Sequence, residues 1–245
     1  MHCVATMRVF AFVCASVSLL GCQAEPAQKQ EASGLETLER RGSVTLLART
    51  APGMPDTDQQ PVRVLYRREG DALVRLRSGV RSAVLGERGV FAVTTEGQLV
   101  LIDDRGERVL LEQARGKPAL LGDGSVVVAR EKELGETDLW QVSATGEARA
   151  LAPAPGPDDL PIALPDGSVV FVSGRTGIAS LWQVDPRGGP ASQLTNRGLA
   201  PGRPLTGFVP PPNEVIEVAS DHLSYDAGGG RRYRVELPSG AARTL

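Results

Sequence analysis

The chain is poor in the residues that usually carry covalent and metal chemistry. Its 245 residues include three cysteines and two histidines, and aromatic residues make up 4%. Cys3, Cys14 and His2 all fall within the first 21 residues. A nucleophilic triad needs a base, usually histidine, beside Ser, Cys or Thr and an orienting acid. Beyond residue 21 the only histidine is His222, in the polar stretch SDHLSYDAGGG, and no Gly-x-Ser-x-Gly elbow occurs. His222 therefore reads as a solvated loop residue, and no catalytic residue is assigned. One histidine without cysteine cannot supply the usual zinc ligands, so no metal is assigned either. No Gly-x-x-x-x-Gly-Lys is present, and Gly228-Gly229-Gly230 reads as a hairpin tip. The formal charge of −2 gives no global field for nucleic acid. Few aromatics are left over to make a carbohydrate platform.

The N-terminus is a separate object. Arg8 precedes an apolar run over residues 9–20, which ends in Leu19-Leu20-Gly21-Cys22. A basic residue, about a dozen apolar residues and a small residue before a cut fit a cleaved export signal. The run is too short to span a bilayer as a mature helix. Leu-Leu-Gly-Cys resembles the bacterial lipobox, which implies that Cys22 is acylated and becomes the mature N-terminus. Met7 is an alternative start, and either start leaves the same mature chain. Removing residues 1–21 discards one basic residue, Arg8, and no acid, which leaves 26 basic against 29 acidic. It also leaves no thiol in the folded part, hence no disulfide and no cysteine nucleophile. Three acyl chains on Cys22, as in lipoproteins, would give stable anchoring. Gln23 stands where inner-membrane lipoproteins of enterobacteria usually carry Asp, which implies delivery to the outer membrane. Residues 1–21 are thus read as signal, 22–37 as lipidated cysteine and polar tether, and 38–245 as the folded domain.

From residue 35 onward, apolar runs of four to seven residues alternate with Gly, Pro, Asp and Arg. No run carries a convincing 3.6-residue period, so the domain reads as all-β. Residues 35–41 read as a turn of helix or a first edge strand. A column of apolar pairs recurs: Val64 and Tyr66, Val100 and Ile102, Trp140 and Val142, Trp182 and Val184, Tyr233 and Val235. Glycine follows each pair at nearly fixed spacing, at Gly70, Gly106, Gly146, Gly188 or Gly189, and Gly240. Upstream of each pair lies a denser apolar strand, at residues 44–48, 90–93, 125–129, 168–172 and 215–218. Spacing of two places both members of a pair on one face. The denser strands read as buried on both faces, between one sheet and the next. Asp123-Gly124 and Asp166-Gly167 read as the turns that open two of them. A short first strand and a short last strand complete four per unit, with unit lengths of about 36–51 residues.

The stretches PDGSVVFVSGRTGIASLWQVDPRGGPASQLT and GDGSVVVAREKELGETDLWQVSATGEARAL closely resemble the TolB-like β-propeller repeat. The likeness is strongest over residues 117–195. It implies a β-propeller of about five four-stranded blades, or six if residues 35–50 and 199–230 conceal extra strands. Ring closure is expected to pair residues 35–41 with the terminal strand at 241–245. TolB carries an additional α/β domain for which there is no room between Cys22 and Val44, so its partners are not carried over.

Two groups of charged residues remain as candidate sites. Arg67, Arg68, Arg75 and Arg77 belong to the densest cationic segment. Alternation along a strand would align Arg75 with Arg77 towards anionic lipid, lipopolysaccharide or an acidic protein; the plainer reading is solvated edge charge. The pairs Asp56 and Asp58, Asp103 and Asp104, and Asp158 and Asp159 offer calcium ligands, or else are turn formers bonding their own backbone. No other cofactor is implied. The function expected from these features is a lipid-anchored extracytoplasmic scaffold, held to a membrane and binding a protein or envelope polymer through loops at one rim. The alternative is a small propeller hydrolase or lyase, or a regulatory propeller, using carboxylates around the central channel.

Overall fold

Asp-Gly turns fix where the chain reverses. Asp166 Oδ1 accepts hydrogen bonds from the Ser168 amide at 2.9 Å and from its hydroxyl at 2.6 Å. The Gln183 amide then donates to that hydroxyl at 2.7 Å. Asp123, Ser125 and Gln141 repeat the arrangement at 2.9, 2.6 and 2.9 Å. Gly124 and Gly167 follow their aspartates at φ of +81° and +86°, where a side chain would be strained. One small network thus ties each turn to the strand that carries the tryptophan.

The computed structural model describes residues 34–51, 62–133, 135–195, 216–219, 222–226, 232–236 and 242–244. Among them are antiparallel strands and no helix, and hence no helix long and apolar enough to cross a membrane. The signal, Cys22 and the tether lie outside the described residues. A seven-stranded sheet contains β1 (Glu36–Arg41), β2 (Val44–Thr50), β3 (Arg63–Glu69), β4 (Ala72–Gly86), β5 (Gly89–Thr94), β6 (Gln98–Asp103) and β7 (Gly106–Glu112) in that order. Three four-stranded sheets follow. The first is β8 (Ala114–Leu120), β9 (Val126–Glu133), β10 (Glu136–Val142) and β11 (Ala148–Ala150). The second is β12 (Asp158–Ala163), β13 (Val169–Ser173), β14 (Ser180–Val184) and β15 (Ser192–Gln193). The third is β16 (Ile216–Val218), β17 (His222–Asp226), β18 (Arg232–Glu236) and β19 (Ala242–Thr244).

The seven-stranded sheet is two four-stranded units that share one strand. The first part of β4 pairs with β3, and the part from Val80 onward pairs with β5. Every apolar pair of the sequence column lies on the third strand of its unit, on β3, β6, β10, β14 and β18.

Strands β5, β9 and β13 show how the units stack. Val90 and Ala92 join Leu46 and Leu65 of the first unit, whereas Phe91 and Val93 join Val126 and Val128 of β9. On β9, Val127 and Ala129 turn instead towards Val169 and Phe171 of β13. Val170 and Val172 in turn pack with Leu223 and Val235 of the last sheet. Successive residues of one strand therefore feed successive cores, because side chains alternate across a strand. This is the two-faced burial expected of the dense segments.

Three expectations change. Residues 35–41 are a strand, and it pairs with β2 through a tight turn, while β19 pairs with β18. The expected pairing of the first strand with the terminal one is not made among the described residues: β1 and β19 are edge strands of separate sheets. In the last unit the segment near residue 216 is the first strand, and β17 takes the second position. His222 accordingly lies on a strand opposite Glu236, not in a loop, with Leu223 and Ser224 buried beside it. The remainder of 199–230, including Gly228–Gly230, lies outside the described residues.

Candidate binding site at the turn rim

The turns that join β1 to β2, β4 to β5 and β6 to β7 come together around a groove of about 230 Å³. Arg41, Arg67 and Arg88 line it together with Glu87, Asp103 and Asp104. Its floor includes Gly86 and Gly89, which face each other across the two-residue turn Glu87-Arg88. A Cβ on Gly89 would collide with the carbonyl oxygen of Ile102, and one on Gly86 would meet Phe91 at 2.9 Å. The close approach of the β4–β5 turn to the end of β6 thus depends on a residue without a side chain at position 89.

The charges in this groove differ in how far they are already engaged. Asp103 accepts from the Arg105 amide at 2.8 Å and from Arg108 at 2.9 Å. The amide bond, then the arginine, hold its carboxyl below the usual range. Arg41 bonds Glu39 at 2.9 Å, and Arg67 lies 3.5 Å from Asp104 and 3.8 Å from Glu69. Arg88 is exposed at the turn and has no ion pair among the described residues. At the next two junctions the same rim is bridged by Arg108 to the Ala144 carbonyl at 3.4 Å and by Arg149 to that of Pro186.

The cationic segment is divided by the sheet. Leu65 pairs with Arg77 and Tyr66 with Arg75, so a bulge falls at Leu76. Neighbours on β3 face opposite ways, and the bulge therefore sends Arg75 and Arg77 to opposite faces, against the expected alignment. Arg77 pairs with Glu107 and lies 3.6 Å from Glu96, on the side where Arg67 meets Asp104. Arg68 and Arg75 are exposed on the other side. Arg41 and Arg88, which complete the groove, were missed because no local pattern joins three separate turns. The only sequence cue is Gly-Glu-Arg-Gly at residues 86–89, a two-residue hairpin.

Trp140, Trp182 and Tyr233 lie on β10, β14 and β18. Arg130 stacks over Trp140 at 4.6 Å and Arg175 over Trp182 at 4.8 Å. Tyr233 is on β18, opposite Tyr225 and Thr244.

The carboxylate pairs separate. Asp103 is a turn former, and Asp56 and Asp58 lie outside the described residues. Asp158 and Asp159 form no turn: both are buried on β12, at 0% and 4% exposure. Among the described residues no three His, Cys, Asp or Glu side chains gather as a metal site.

No protein-family model matches this chain, and no curated protein sequence matches it. Solved structures do. A TolB-type protein from Agrobacterium tumefaciens is 18% identical, with a TM-score of 0.54 over 83% of this chain and 76% of that one. TolB from Acinetobacter baumannii is 16% identical, with a TM-score of 0.53 over 89% of this chain and 56% of that one. Oligogalacturonate lyase from Vibrio parahaemolyticus is 17% identical, with a TM-score of 0.53 over 83% of this chain and 62% of that one. This chain therefore spans little more than half the length of the last two. The domain has a TolB-like β-propeller fold. At these identities the likeness carries the fold alone, and it is a fold used both by TolB and by a lyase.

Proposed function

We propose that this protein is a lipid-anchored binding scaffold of the bacterial cell envelope, tethered through Cys22, with a five-bladed ring that holds a partner at its turn rim. The partner is an acidic segment of a protein or of an envelope polymer. The observation that carries the reading is the groove of Arg41, Arg67 and Arg88 over a glycine floor, with Arg88 left unpaired among the described residues. An exposed guanidinium offers a planar fork that suits carboxylate or phosphate.

Five units joined through shared cores support the reading of five blades. Leu47, Val64 and Tyr66 are buried on the far face of the first unit, which supports closure of the series into a ring. The lyase and hydrolase alternative is weaker on chemical grounds. The buried carboxylates of the described residues, Asp138, Asp158 and Asp159, are at most 4% exposed, and each faces a cation. Substrate has no access to them. Outer-membrane delivery rests on Gln23.

The test is affinity capture from detergent-solubilised envelope with the full-length protein and with an Arg67→Glu/Arg88→Glu variant. A partner held by the wild type and lost by the folded variant supports the reading. Equal capture by both, or turnover of a substrate without any partner, overturns it.

A further inference from the structure

The junction between the β8–β11 sheet and the β12–β15 sheet contains three buried aspartates. Asp158 and Asp159 lie on β12, and Asp138 lies on β10 with 2% of its side chain exposed. Each engages one cation through Oδ2. Asp158 binds Arg175 at 2.7 Å, Asp138 binds Lys132, and Asp159 lies 3.7 Å from Arg115 across the junction. The remaining oxygens differ. Asp159 Oδ1 accepts the Leu160 amide at 2.8 Å, whereas Asp138 Oδ1 and Asp158 Oδ1 are buried without a hydrogen-bond partner.

A buried carboxylate oxygen with no donor pays the full desolvation penalty. Movement cannot easily relieve it, because the backbone is clamped here. Thr137 on β10 donates to the Asp158 carbonyl at 2.8 Å, and Arg175 reaches the Ala152 carbonyl at 3.2 Å. A metal ion does not fit the gap, since Lys132 and Arg175 already occupy the cation side of both carboxylates. A proton on the unpartnered oxygen removes the buried negative charge and with it most of the desolvation cost.

We propose that Asp158 is a proton-binding site at the junction between these two sheets, taking up one proton on Oδ1 in mild acid and thereby stabilising the folded state. Burial pushes its carboxyl up to about 6, and Asp138 pushes the same way, against Ser173 and Arg175. The strands packed against β12 carry the other charged groups: Arg115 and Lys117 on β8, Arg130, Glu131, Lys132 and Glu133 on β9 and Glu136 on β10, with Asp159 on β12 itself. The direction follows from linkage. An acid that binds its proton more tightly in the folded state stabilises the fold increasingly as the pH falls through about 6. That gain is lost as the pH rises again.

The two tryptophans of the chain report on this junction, because Arg175 bridges Trp182 and Asp158, and Trp140 follows Asp138 on β10. Full-length protein in detergent is titrated from pH 7.5 to 5, with tryptophan emission and the thermal midpoint followed together. The expected result is a joint transition centred near pH 6, with a higher thermal midpoint on the acid side. Asp158→Asn abolishes it, and Asp138→Asn moves it to lower pH by removing a neighbouring negative charge. Histidine is the side-chain type that ordinarily changes charge in this range, so His222→Gln is the control and must leave the transition intact. A flat wild-type profile, a transition that persists in Asp158→Asn, or one lost in His222→Gln overturns the proposal. Should Asp158→Asn not fold, Asp138→Asn decides: a midpoint that stays or rises overturns it.

Discussion

Replacing Phe171 with alanine tests whether neighbouring units stand only by leaning on each other. Phe171 is fully buried and packs across the junction against Leu121, Val127, Ala129, Leu139 and Leu151 of the preceding sheet. Truncation of a buried phenylalanine costs about 3–5 kcal/mol. Domains are typically stable by about 5–15 kcal/mol, so the loss is a large fraction of the total. For a domain of this size it corresponds to a fall in thermal midpoint of roughly 6–20 °C. Ile178, which is 53% exposed, is the control, and its alanine variant should change stability by less than about 0.5 kcal/mol. Urea and thermal unfolding are followed by far-ultraviolet dichroism and by tryptophan emission. Trp140 belongs to the preceding sheet and Trp182 to the same one, so the emission reports both partners. Both probes should shift together in Phe171→Ala. A loss below about 1 kcal/mol, or dichroism and emission that separate into independent transitions, would refute the shared-core account.

Two further outcomes follow from the turn rim and the N-terminus. Gly89→Ala places a methyl group against the Ile102 carbonyl at a φ of +149°. It should destabilise the fold by roughly 1–3 kcal/mol and weaken partner capture, whereas Gly70→Ala, with open space around it, should leave capture unchanged; denaturation and pulldown measure the two. Cys22→Ala should move the protein from the membrane to the soluble fraction of the envelope, as read by fractionation and by incorporation of labelled fatty acid.

Much of this architecture was legible because its signals are local. A two-residue period within the pairs Trp140/Val142 and Trp182/Val184, and Asp-Gly-Ser at the start of the dense strands at 125–129 and 168–172, define hairpins without reference to distant residues. The shared strand β4 was hidden, since Arg75, Arg77 and Arg81 interrupt its apolar pattern and a bulge at Leu76 alters its faces. Asp158-Asp159 resembles a turn in sequence. Only the stacking of β12 against β10 shows that both are buried, each opposite a cation distant in the chain. The groove was beyond local reading for the same reason: Arg41, Arg67 and Arg88 belong to different strands and turns, and they meet only once two units have packed.

The most direct test of the scaffold reading is a photo-crosslinking amino acid at position 87, which is exposed beside Arg88 in the groove, installed in the full-length protein in living cells. The account predicts one discrete adduct with an envelope component, formed from position 87 and lost when Arg67 and Arg88 are changed to Glu. No adduct, or the same adducts from position 87 as from exposed Ile178, would contradict it.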